Sequence, residues 1–342
     1  MLEGHGDDIG KYKNIRANFS SNVLFGELNE GMLAHLQERI ATVTHYPEVD
    51  ARTVQADAAA AYGVFADQVL VTNGATEAIY LIAQAFFGGS ATILTPSFAE
   101  YEDACRLFGL QVRLQSWETV KEDDQFSTDL VFLCNPNNPT GLLFPPDRLK
   151  VLLEGNPQSL FVIDESYIEF TRAATSLLNS LADHPNVLVL RSLTKSCRIP
   201  GLRIGFVVGQ AVRIAQLRRL KMPWSVNQLA LEAASYIFGR SDRFVVPVPV
   251  LLEATASWRN ELGAVTGWRV HSTDTHYFLM ETPAAFTAAE LKQDLVTRHG
   301  LLIRDAANFR GLTPHHFRLA CQSSAENQLL TEALYQCSQT GL

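Results

Sequence analysis

The stretch Val187-Leu188-Val189-Leu190-Arg191-Ser192-Leu193-Thr194-Lys195-Ser196-Cys197-Arg198-Ile199-Pro200-Gly201-Leu202-Arg203-Ile204-Gly205 decides how the rest of the chain is read. Its first four residues are apolar and deliver Lys195 just past the end of what reads as a buried strand. Hydroxyls stand before the lysine at Ser192 and Thr194, and a second apolar run follows Arg203. A buried ammonium is costly unless it is paired, neutralised or used covalently. One covalent use is a Schiff base with a carbonyl cofactor. The nearby hydroxyls and Arg203 then suit an anionic group on that cofactor. Taken alone, the lysine reads equally well as part of a charged loop after a core strand.

Outward from this stretch, apolar runs alternate with helical patterns. Strands are expected at 68–72, 91–95, 129–134, 160–164, 187–190 and 203–208, and helices at 76–87, 97–108 and 146–154. The runs are near-continuous rather than alternating, as in a parallel sheet covered on both faces. Upstream, Leu28, Met32, Leu36, Ile40 and Val43 share one helix face, and Asp50 is placed to cap a helix over 51–62 that Gly63 stops. Residues 1–26 read as irregular and polar. From about residue 211 long helical patterns take over, at 228–238 and 251–262. A smaller α+β unit follows, with strands expected at 268–271, 276–281, 301–304 and 316–321 and helices at 288–298 and 325–337. Ser323-Ser324-Ala325-Glu326 fits a capping box at the last helix.

The 342 residues, 47% of them hydrophobic, suffice for two domains or one large domain with an appendage. Lys+Arg 28 against Asp+Glu 36 gives a net charge of −8, which disfavours a nucleic-acid partner. Cys105, Cys134, Cys197, Cys321 and Cys337 are odd in number, scattered and outside any C-x-x-C pair. That suggests a reducing compartment, without a disulfide framework or a zinc site. The first sixteen residues are polar, so no signal peptide is expected, and no apolar run approaches membrane-spanning length. The expectation is a cytoplasmic protein with neither a membrane nor a nucleic-acid partner.

Four further segments fall at strand ends, where open parallel sheets bind ligands. Asn73-Gly74-Ala75-Thr76 follows a strand and opens a helix, letting backbone N–H groups approach a phosphate. Asn135-Pro136-Asn137-Asn138-Pro139-Thr140-Gly141 makes a rigid turn that presents amides at the sheet edge. Asp164 ends a core strand and needs a cationic partner, which a protonated ring nitrogen or an ordinary ion pair would supply. Phe98 stands just past another strand end, as a stacking platform for a planar ring or a core aromatic.

In this order, Asn73-Gly74-Ala75-Thr76, Phe98, Asn138-Pro139-Thr140-Gly141, Asp164 with Tyr167, Ser192-x-Thr194-Lys195 and Arg203 resemble the class I/II pyridoxal-phosphate (PLP) dependent aminotransferases. Two neighbouring groups in that family match, histidinol-phosphate aminotransferase and threonine-phosphate decarboxylase. The resemblance implies an α/β fold of the aspartate-aminotransferase type. That fold has a three-layer, mostly parallel sheet in a large PLP-binding domain, set here at 41–235, and a small α+β domain at 236–342. An N-terminal segment, 1–40, packs on the small domain and the active site.

By position, the resemblance makes Lys195 the Schiff-base lysine and proton shuttle, and Asp164 the partner of the ring nitrogen. Asn138 and Tyr167 bond the ring hydroxyl oxygen and Phe98 stacks on the ring. Gly74, Ala75, Thr76, Ser192, Thr194 and Arg203 hold the cofactor phosphate, joined by Tyr46 from the other subunit of a homodimer. Arg318 binds the substrate carboxylate and Arg304 a substrate phosphate. His5, Gly6 and Asn22, with Asn138, complete the substrate site. Gly4-His5-Gly6, Ser21-Asn22, Met222-Pro223-Trp224-Ser225-Val226-Asn227 and Ala307-Asn308-Phe309 resemble the decarboxylase wording. Asp7-Asp8, Val23-Leu24-Phe25 and Ser196-Cys197-Arg198 depart from it. His315-His316 reads as a polar turn with no metal set around it. The implied enzyme acts on a small phosphorylated amino compound, as a decarboxylase of L-threonine O-3-phosphate or as an aminotransferase. An effector-sensing domain of a transcription factor is disfavoured by the acidic balance and the absence of a helix-turn-helix segment before residue 40.

Overall fold

The computed structural model describes residues 8–340. In chain order its elements begin with β1 (Ala17–Asn18), α1 (Glu30–Arg39), α2 (Arg52–Tyr62), β2 (Val69–Thr72), α3 (Gly74–Ala85), β3 (Ser90–Thr95) and α4 (Glu100–Leu107). They continue with β4 (Gln111–Ser116), β5 (Leu130–Cys134), α5 (Pro146–Gly155), β6 (Leu160–Asp164), β7 (Val187–Ser192), β8 (Gly205–Gly209), α6 (Ala211–Leu220) and α7 (Gln228–Phe238). The last are α8 (Val248–Thr266), β9 (Tyr277–Glu281), α9 (Ala288–Asp294), β10 (Leu301–Leu302), β11 (Arg304–Asp305), β12 (His316–Ala320) and α10 (Ser324–Thr340).

The apolar runs build one seven-stranded sheet of order β2-β8-β7-β6-β5-β3-β4. Along β6, Phe161 and Ile163 enter one apolar cluster, while Leu160 and Val162 enter another on the opposite face. This is the period-two alternation of a strand with helices on both sides. Residues of α1, α2, α5 and α7 complete the first cluster, and residues of α3, α4 and α6 the second. Each large apolar side chain so buried contributes about 1.5–3 kcal/mol.

All pairings in this sheet are parallel except those of β8, which runs antiparallel to β2 and to β7. The ends of β2, β3, β5, β6 and β7 therefore share one sheet edge with the start of β8. The expected strand 203–208 begins only at Gly205, which leaves Arg203 in the preceding connection with a left-handed φ of 59°. The edge strand β4 was missed in the sequence, because only Val112 and Leu114 are apolar on a largely exposed ribbon.

A second, antiparallel sheet has the order β11-β12-β9. Phe278, Met280, Phe317 and Leu319 pack from it onto Trp258 of α8 and Leu330 of α10. The N-terminal segment joins this cluster through fully buried Phe19, and β1 pairs in parallel with β10, so 8–26 is not irregular throughout. The expected strand 301–304 divides, its first half pairing with β1 and Arg304 pairing with β12. The expected strand 268–271 is reduced to one bridge, Val270 to Met280. Ala51, at a left-handed φ of 51°, precedes α2 in place of the expected Asp50 cap. Glu48 accepts the Thr53 N–H instead, at 2.9 Å. The capping box holds, with Ser323 Oγ accepting from the Glu326 N–H and the Glu326 carboxylate accepting from the Ser323 N–H. Among the described residues, no helix is long and apolar enough to cross a membrane.

Candidate active site

A cavity of about 180 Å³ opens at the shared sheet edge. Lys195, Asp164, Tyr167, Asn138 and Phe98 line it, with Ala75, Thr76, Ser192, Thr194 and Arg203 from the candidate phosphate set and Asn22 and Arg318 from the candidate substrate set. Apart from Asn22, from the N-terminal segment, and Arg318, inside β12, these residues meet because each lies at or just past the end of a parallel strand, or before the start of the antiparallel one.

Asp164 is the last residue of β6 and is buried. Its Oδ1 accepts from the Ser166 N–H at 2.9 Å and the Ser166 hydroxyl at 2.6 Å, and its Oδ2 accepts from the Tyr101 hydroxyl at 2.6 Å. Three donors fix the carboxylate plane. Burial, then the charge of Asp164, pushes the Tyr101 phenol far above its ordinary pKa, so it remains a donor. The sequence reading missed Tyr101 and Ser166. Ser166 had a signal in the Asp-x-Ser spacing, whereas the Tyr101 contact spans 63 residues and had none.

Opposite Asp164, the α3 N-terminus and the β7 end make a donor-lined cradle. Ser192 and Thr194 share a hydroxyl–hydroxyl hydrogen bond of 2.7 Å. Gly74 has a φ of 75°, and a Cβ there would stand 2.6 Å from Arg203 Nη2. A Cβ on Gly205 would stand 2.5 Å from the Ala75 nitrogen. Only glycine lets the arginine fork and the helix N-terminus converge so closely. Lys195, half-buried, accepts the Leu24 N–H on its carbonyl at 3.0 Å, which ties the N-terminal segment to the lysine turn.

That segment lines the cavity with Ser20, Ser21 and Asn22. Asn22 is buried and approaches the Tyr167 hydroxyl without a well-formed hydrogen bond, so both its amide atoms lack a partner among the described residues. Buried amides of this kind take a partner from outside the protein, a water or a ligand. The Asn22 carbonyl accepts from His276 Nε2 at 3.2 Å, and the His276 ring stacks on Phe170 with centroids 4.1 Å apart. Burial pushes the His276 pKa down to about 3, so the ring is neutral. Burial likewise raises the Tyr167 phenol, with Arg318 partly offsetting it.

Arg318 donates from Nη1 to Asn138 Oδ1 and from Nη2 to the Ser20 carbonyl, and it lies 5.7 Å from the Tyr277 ring centroid. Arg304 is its cross-strand partner, which puts both guanidinium groups on one face of the small sheet. Arg304 does not line the cavity. It is buried, its Nη2 donates to Asn308 Oδ1 at 2.9 Å, and it lies 5.4 Å from the Phe309 ring centroid. Burial pulls its pKa down, and Asp305 and Asp8 act against this. Asp8, a departure that set a carboxylate near a phosphate path, is paired with Lys292 Nζ at 2.7 Å. His5, Gly6 and Asp7 lie outside the described residues. Tyr46 is 85% exposed, stands 5.3 Å from Trp224 between ring centroids, and does not line the cavity of its own chain.

His316 is more than part of a polar turn. The ligand atoms of His271, Glu281 and His316 all lie within 4.8 Å of one another. Glu281 Oε1 is 2.8 Å from His271 Nε2, 3.4 Å from His316 Nε2 and 3.2 Å from Arg269 Nη1. The Thr313 N–H donates to His316 Nδ1 at 3.2 Å. That sets the ring proton on Nε2, facing Glu281, in a self-satisfied hydrogen-bond network.

The residues fit PLP: a carboxylate for the ring nitrogen, an amide and a phenol for the ring hydroxyl, a donor cradle for the phosphate and a lysine for the aldehyde carbon. Comparisons with known proteins agree. The chain matches the aminotransferase class I and II family over residues 15–334. It is 32% identical to threonine-phosphate decarboxylase of Salmonella typhimurium, over 93% of this chain and 90% of that protein. It is 29% identical to histidinol-phosphate aminotransferase of a Thermoanaerobacter species, over 96% of this chain and 97% of that one. The crystal structure of L-threonine-O-3-phosphate decarboxylase from Porphyromonas gingivalis superposes with a TM-score of 0.91 at 37% identity, covering 95% of this chain and all (100%) of that one. The chain is therefore a PLP-dependent enzyme and belongs to the aminotransferase class I and II family.

Proposed function

We propose that the enzyme decarboxylates a small phosphorylated amino acid, with L-threonine O-3-phosphate as substrate and an aminopropanol phosphate as product. The observation that carries this reading is the cross-strand pairing of Arg304 and Arg318 beside the cavity, suited to one phosphate and one carboxylate. Full-length likeness to two threonine-phosphate decarboxylases supports it.

In this reading, Lys195 Nζ would hold the cofactor and would move a proton at the substrate Cα. Asp164, held by Tyr101 and Ser166, would keep the ring nitrogen protonated, Asn138 and Tyr167 would bond the ring oxygen, and Phe98 would flank the ring. Gly74, Ala75, Thr76, Ser192, Thr194 and Arg203 bind the cofactor phosphate. Bound, the cofactor supplies a sink for the electron pair left at Cα. Arg318 and Asn138 orient the substrate carboxylate, Arg304 binds the distal phosphate, and Asn22, with His5 and Gly6, closes the site. How Arg318 and Asn138 would hold the carboxylate decides which Cα bond the enzyme would activate, so this orientation would separate loss of CO2 from loss of a proton. The exposure of Tyr46 and Trp224 supports a homodimer in which Tyr46 reaches the partner's cofactor phosphate. Five buried free thiols support a reducing, cytoplasmic setting.

A second reading, transamination of histidinol phosphate, has the support of the Thermoanaerobacter likeness. Two incubations separate them: L-threonine O-3-phosphate alone, and histidinol phosphate with 2-oxoglutarate. CO2 with an amino-alcohol phosphate is expected, and glutamate formation in its place overturns the decarboxylase. Arg304→Ala should raise the KM for the phosphorylated substrate tenfold or more, since a lost charge-assisted hydrogen bond is worth about 1.5–3 kcal/mol. Equal losses on L-threonine would make Arg304 structural and remove the case for a phosphorylated substrate.

A further inference from the structure

A clasp of two charged residues ties the connection between β11 and β12 to α4. Arg310 lies in the connection between β11 and β12, and Glu102 lies on α4, 208 residues away. Arg310 Nε donates to Glu102 Oε2 at 2.9 Å and Nη2 donates to Oε1 at 3.0 Å, a two-point fork. Arg106 Nε adds a third donor at 2.8 Å. The Glu102 side chain is only 4% exposed. Burial by itself would raise its pKa, but the hydrogen bonds from Arg310 and Arg106 bring it below the usual carboxylate range. The carboxylate is thus charged and buried, and only the docked connection adds the two-point fork of Arg310 to the Arg106 contact from its own helix.

What the connection carries gives the clasp its meaning. Asn308, two residues before Arg310, accepts from Arg304 Nη2 at 2.9 Å. Phe309 stands 5.4 Å from the Arg304 guanidinium and packs with Leu279, Ala306 and Leu312. Phe98, Glu102, Asn308 and Arg310 border one small crevice, so the connection docks against the turn that lines the cavity.

We infer that Glu102 and Arg310 are positioning residues that hold Arg304 in place through Asn308 and Phe309, and so set the enzyme's preference for substrates with a distal phosphate. The inference rests on the function proposed above. A binding-competent state populated only in part raises the apparent dissociation constant by the inverse of its fraction. Undocking to a competent fraction of about one fifth therefore raises KM about fivefold. The penalty falls only on ligands that engage Arg304. Arg310 is 47% exposed, so its replacement is expected to leave the fold intact.

The test compares wild type, Arg310→Gln, Arg310→Lys and Glu102→Gln as holoenzymes, on L-threonine O-3-phosphate and on L-threonine. Arg310→Gln should raise the KM for the phosphorylated substrate roughly three- to tenfold, with kcat within twofold and the visible cofactor spectrum unchanged. L-threonine kinetics should not move, and Arg310→Lys should fall between. Amide hydrogen exchange over 306–316 should quicken in Arg310→Gln and Glu102→Gln. Equal KM losses on both substrates, or unchanged KM and exchange, overturn the clasp. If wild type treats the two substrates alike, the proposed substrate fails instead. Exchange over 306–316 then decides the clasp as a docking contact, and unchanged protection overturns that as well.

Discussion

Replacing Gly74 by alanine should separate backbone strain from cofactor recognition. Gly74 sits at a φ of 75°, where an L-residue costs about 1–2 kcal/mol. Its new Cβ would also stand 2.6 Å from Arg203 Nη2, well inside the ~3.5–4 Å of ordinary contact, so the guanidinium must withdraw by about 1 Å. That is enough to break a charge-assisted hydrogen bond to the cofactor phosphate, worth about 1.5–3 kcal/mol, or roughly 10- to 100-fold in PLP affinity. Gly63 is the control. Its φ of 67° imposes similar strain, but nothing lies within 4 Å of its added Cβ. Both variants should lose about the same stability in urea titrations, and only Gly74→Ala should bind PLP weakly. The assay strips the cofactor and titrates PLP back by visible absorbance, with inorganic phosphate as competitor. A folded Gly74→Ala protein that binds PLP within threefold of wild type would refute the cradle.

Borohydride treatment of the wild-type holoenzyme should fix the label on Lys195, and Lys195→Ala should bind PLP reversibly without turnover. A protein that stays colourless and unlabelled with added PLP sinks the lysine assignment. His276 predicts acid sensitivity, because its folded pKa of about 3 lies below the unfolded value of 6.5. The unfolded state binds more protons between those values, so stability present above pH 6.5 is lost as pH falls toward 3. By pH 5 the loss from this residue is about 2 kcal/mol. His276→Gln should flatten the slope of unfolding free energy between pH 5 and 7, and an unchanged slope would remove His276 as its source.

Most of the cofactor side was legible because local sequence encodes it. Strand-end residues such as Asp164 and Lys195 are announced by the apolar runs before them, and Gly74 by the strand-to-helix turn it permits. The strand 268–271 and the Asp50 cap were misread because short-range pattern there is weak: one bridge and a left-handed Ala51 replace them. The missed edge strand β4 has the same cause, since a ribbon exposed along its length carries little apolar signal.

By itself, then, the sequence determined the doubly covered sheet, the order of its helices and of its strands other than β4, and the lysine and aspartate that meet at its edge. Tertiary structure alone decided that β8 runs antiparallel and so brings Arg203 to that edge. It also decided that Tyr101 bonds Asp164, that Arg304 faces Arg318 across two strands, that Glu102 holds Arg310, and that His271, Glu281 and His316 converge. Each of these depends on register or docking between distant segments. Burial period and turn chemistry act over a few residues, whereas a one-residue slip in register would send Arg304 to the opposite face without altering the local pattern around it.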